Sequence, residues 1–75
     1  MKFKIGDKVR IKDGIDHTTN IRTDIGFLEE MDEYIGKILI INEIYFRSES
    51  YTIKDTKDIG DLNWYFAEEW LELAE

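Results

Sequence analysis

The chain has no cysteine, no proline, a single histidine and only five glycines among 75 residues. Without cysteine there is no disulfide, no thiolate nucleophile and no zinc site on sulfur ligands. A Ser–His–acid triad would have to bring His17 to Ser48 or Ser50 and a carboxylate, and no motif supports that. His17 lies in a polar stretch and is expected to be a solvated loop residue. The glycines of Ile25-Gly26 and Ile59-Gly60 are isolated, so no glycine-rich phosphate loop exists. The longest apolar runs, Ile38 to Ile41 and Trp64 to Ala67, fall far short of the roughly 20 residues of a membrane span. The opening MKFKIGDKVRIK alternates charged and apolar residues, which argues against a signal peptide. These absences predict a non-enzymatic, cytoplasmic domain with no catalytic residue, metal or cofactor and no membrane association.

The chain is rich in acids and in large apolar side chains. Hydrophobic residues make up 43% and aromatics 13%, enough for a thin core in one small domain spanning residues 1–75. The formal net charge of −7 is uneven: residues 1–22 hold six Lys/Arg against three Asp/Glu, and residues 23–75 hold four against fourteen. Most of the chain would repel a phosphate backbone. Such acidity serves solubility, or steers the molecule toward a basic surface.

Residues 8–12 alternate strictly, with Val9 and Ile11 on one face and Lys8, Arg10 and Lys12 on the other, which predicts a half-buried strand. Phe3 and Ile5 extend the alternation, so the strand is expected to start earlier. Residues 13–27 show no period and predict a long loop, held to the body by Ile15, Ile21 and Ile25. Phe27, Met31 and Tyr34 or Ile35 share one face of a short helix over residues 27–35, which Gly36 stops. Residues 37–46 are apolar on both faces and predict a central strand, buried on both sides or sharply bent. Strands are expected again at 51–56, with Tyr51 and Ile53 on one face, and at 62–66, with Leu62, Trp64 and Phe66 opposite Asn63 and Tyr65. One helical turn over Ala67 to Trp70 and a short closing strand over Leu71 to Leu73 follow. Asp55, Asp58 and Asp61 sit in a turn without a calcium-loop pattern and predict solvated carboxylates.

Gly6-Asp7-Lys8-Val9-Arg10-Ile11, Met31-Asp32-Glu33-Tyr34-Ile35-Gly36-Lys37 and Trp64-Tyr65-Phe66-Ala67-Glu68-Glu69-Trp70-Leu71-Glu72 occur in this order. The layout resembles the Src-homology-3-like barrel. The chain is similar to small proteins of bacteriophages and mobile elements of low-GC Gram-positive bacteria (Firmicutes), a group whose function is usually unassigned. The resemblance implies a mainly β barrel of about five strands with a long first loop and one or two short helical turns. The signalling members bind polyproline beside an acidic first loop. Here that loop has Asp13, Asp16 and Asp24 without a cluster and no proline precedes the last strand, so the resemblance does not extend to polyproline.

The leading expectation is a protein-binding module that binds and inhibits a host protein, such as a defence nuclease or another nucleic-acid-binding protein. Its acidic candidates are Glu29, Glu30, Asp32, Glu33, Glu68, Glu69 and Glu72, and its aromatic candidates are Tyr45, Tyr51, Tyr65 and Trp70. One alternative is a nucleic-acid-binding barrel using Lys8, Arg10 and Lys12, although only a few phosphates' worth of contact is available. Another is an oligomeric sponge for a small signalling ligand. Monomer and small homo-oligomer are both open.

Overall fold

A computed structural model describes residues 1–19, 25–55 and 61–74, with side chains throughout except at 61–63. Five strands, β1 (Lys8–Ile11), β2 (Leu39–Tyr45), β3 (Ser50–Asp55), β4 (Asp61–Ala67) and β5 (Leu71–Leu73), form one antiparallel sheet in the order β4-β3-β2-β1-β5. Among the described residues, two 3-10 segments, η1 (Glu29–Tyr34) and η2 (Glu68–Trp70), accompany the sheet. A long connection follows β1, and η2 leads from β4 directly into β5. This is the order expected of a Src-homology-3-like barrel. Among the described residues no helix is long and apolar enough to cross a membrane.

The core takes one face from each strand: Val9 and Ile11, Leu39 and Ile41, Tyr51 and Ile53, Phe66, and Leu71. Phe27 and Met31 join it from the long connection, and Phe3 and Trp70 belong to it as well. Phe27 meets Trp70 edge-on at 5.1 Å, with Phe66 6.2 Å from each, the tilted geometry aromatic quadrupoles favour. Ile15 and Ile25 pack on this core as expected; Ile21 lies outside the described residues.

Two sequence expectations change, and the structure decides between two alternatives for a third. The first strand does not reach back to Phe3. The Asp7 N–H closes a turn on the Lys4 carbonyl at 3.0 Å, and Gly6 takes φ +93° there, a conformation that favours glycine. Ile5 therefore sits on the turn, 68% exposed. The segment expected as a short helix is a 3-10 segment with Met31 buried and Ile35 exposed. The central strand is bent rather than buried on both sides. Ile41 pairs with Ile53 but Glu43 with Thr52, so Asn42 is an extra residue, a β-bulge. Ahead of the bulge Leu39 and Ile41 face the core, and after it Ile44 does. The change of phase explains why the segment looks apolar on both faces.

Candidate functional site

Of the four aromatic candidates, two are structural. Tyr51 and Trp70 have no exposed surface, which removes them from any contact surface. The Tyr51 hydroxyl accepts the Phe3 N–H at 3.2 Å and donates to Glu68 Oε1 at 3.0 Å, so its polar tip is satisfied internally. Burial raises the Tyr51 pKa above its ordinary value. Trp70, at the end of η2, is the largest fully buried side chain among the described residues.

Tyr45 and Tyr65 are the other two. Their rings stand 5.1 Å apart at 85°, and Tyr65 is 51% exposed. With Ile25 and Ser48 they line an open groove of about 390 Å³. Phe46, 71% exposed, follows Tyr45 at the turn into β3.

Glu43, which sequence reasoning passed over, belongs to the same surface. Its Oε1 accepts hydrogen bonds from the Tyr45 hydroxyl at 2.9 Å and the Thr52 hydroxyl at 3.2 Å. Across the sheet Glu43 pairs with Thr52 and Thr52 with Tyr65, so the bulge aligns a carboxylate, a hydroxyl and a ring in one row. The Glu43–Tyr45 spacing of two in a strand was a usable signal for this pair. Nothing local marks Ile25 or Ser48, which tertiary folding alone brings there.

Six of the acidic candidates fall on the two 3-10 segments and Glu72 on β5. Glu29, Glu30, Glu33 and Glu69 are exposed. The other three hold the fold. Asp32 binds the first loop, accepting the His17 N–H at 3.0 Å and pairing with its ring Nδ1 at 2.5 Å. Glu68 Oε1 accepts the Lys2 N–H at 2.5 Å besides the Tyr51 hydroxyl. Burial pushes the Glu68 carboxyl upward, but the donors Lys2 and Tyr51 outweigh it and hold the pKa below the usual range. Glu72 pairs with Arg10 Nε at 2.7 Å, directly across β1 and β5.

That last pair weakens the basic stripe. Lys8 is exposed and Lys12 half-buried, while the Arg10 guanidinium already faces a carboxylate. His17 sits in the loop with its side chain 40% exposed, and Asp32 in addition binds both its backbone and its ring. The hydrogen bond to Asp32 raises its pKa above the ordinary 6.5. Among the described residues no three His, Asp or Glu side chains gather as a metal site; Asp58 and the Asp61 side chain lie outside the described set. Comparison with protein-family models, curated proteins and solved structures gives no match.

Proposed function

We propose that this chain is a non-enzymatic protein-binding module that docks onto a basic surface of a partner. The observation that carries this reading is the open groove around the partly buried Tyr45 and the half-exposed Tyr65, with the Glu43 carboxylate hydrogen-bonded to Tyr45. Tyrosines supply large contact area at small entropic cost and dominate many binding hot spots. The exposed carboxylates Glu29, Glu30, Glu33 and Glu69 and the net charge of −7 select for positive charge on the partner. Nucleic-acid-binding proteins present such surfaces in the grooves that take phosphates. The resemblance to phage-borne small barrels favours a host protein of that class, a defence nuclease among them, with inhibition as the outcome of occupying its groove.

The test is capture from host lysate by the tagged chain at low and moderate salt. One partner in stoichiometric amount is expected with the native chain and with Lys8→Ala. It should be lost with Tyr65→Ala and with Glu29→Lys/Glu30→Lys. Finding no stoichiometric partner, or capture indifferent to Tyr65, overturns the reading. A gel shift at about 50 mM salt, where phosphate contacts are strongest, should show no retardation of nucleic acid.

A further inference from the structure

The Tyr45–Tyr65 surface carries a more specific inference, which rests on the protein-binding reading above. Tyr45 is a bridge: its ring lies 5.1 Å from the Tyr65 ring, and its hydroxyl reaches Glu43 at 2.9 Å. One short stretch of surface thus offers the half-exposed Tyr65 ring, whose face is the negative pole of an aromatic quadrupole, beside a carboxylate. The group that satisfies both is a cation.

The chain already uses this combination internally. The Lys37 ammonium lies 5.2 Å from the centre of the Tyr34 ring and 3.8 Å from an Asp55 carboxylate oxygen. There the ring and the acid hold a cation of the same chain.

We propose that the surface formed by Glu43, Tyr45 and Tyr65 receives an arginine side chain of the protein partner. A guanidinium suits it better than an ammonium. It is planar and stacks on a phenol ring while its edge N–H groups donate to a carboxylate. It is also less strongly hydrated, so an open groove strips its water at smaller cost. The groove's space of about 390 Å³ leaves room for the long stem along Ile25.

The intact 15N-labelled chain is titrated by NMR with N-acetylarginine amide, its uncharged citrulline counterpart and N-acetyllysine amide. The arginine probe should give saturable shifts in the millimolar range at Glu43, Tyr45, Thr52 and Tyr65. Glu43→Gln and Tyr65→Leu should each weaken it at least about fivefold, with the rest of the spectrum unchanged. Citrulline or lysine binding as tightly as arginine overturns the assignment, as do arginine shifts confined to η1 and η2. If the probe fails while partner capture still depends on Tyr65, the arginine inference falls and the protein-binding reading stands. If capture is also indifferent to Tyr65, both fall.

Discussion

Tyr51 and Tyr65 are the same residue type on neighbouring strands, and register alone separates their roles. Tyr51 faces the core and spends its hydroxyl on Phe3 and Glu68; Tyr65 faces outward and is half exposed. His17 is a loop residue as expected, and it also clasps Asp32. Its consequence is a pH dependence with a definite sign. A histidine whose folded pKa is raised contributes stability that is complete below the unfolded value and lost as pH rises through the folded one. The ordinary value is 6.5, and Asp32 chiefly, with Glu29 and Asp16 adding charge, holds the folded value above it. The stability difference between the native chain and His17→Ala, measured by urea denaturation, should be largest below pH 6.5 and shrink as pH rises above it. A difference that grows with pH would contradict the clasp. The pair is partly exposed, so the effect is that of a screened surface ion pair.

Among the elements, β2 and β4 carry the groove's tyrosines and η1 carries most of the acids. η1 ends where Ile35 donates its N–H to Asp32 at 3.1 Å and Gly36 follows at φ +86°. A side chain at Gly36 would meet no atom within 4 Å, so the cost of adding one is backbone strain alone. Gly36→Ala should destabilise by about 1–2 kcal/mol. Gly26→Ala, equally uncrowded and without positive φ, should be neutral or stabilise by about 0.5 kcal/mol. Thermal denaturation of the two variants side by side checks both. The glycine stop was legible because its chemistry is local. The bulge at Asn42 was not, since an extra residue is defined only against the partner strand. Alternation therefore placed Tyr51 and Ile53 correctly on one face but left the phase of residues 42–46 open.

For the whole molecule, charge is the property that acts at long range. On the proposed reading, the exposed Glu29, Glu30, Glu33 and Glu69 would act before contact and Tyr45 and Tyr65 after it. Screening shortens the reach of charge to about 10 Å at 0.1 M ionic strength. Partner affinity is therefore expected to fall about tenfold between 50 and 300 mM salt, mainly through the association rate. Tyr65→Ala should act mainly on dissociation. Surface-plasmon measurements of both rates across salt check this, and a salt-independent association rate would remove the steering role of the acids.

The sequence by itself determined the mainly β architecture, the order of its elements, the acidic surplus and most of the core. Alternation, glycine placement and composition are local properties that no distant contact needs to supply. Only the tertiary structure decided which aromatics are surface and which are interior. It turned Trp70 and Tyr51 inward, spent Asp32, Glu68 and Glu72 on internal partners, and gathered Ile25, Tyr45, Ser48 and Tyr65 around one groove. The physical reason is that strand register and the bulge set the face of each side chain, and both are relations between strands rather than properties of any one segment.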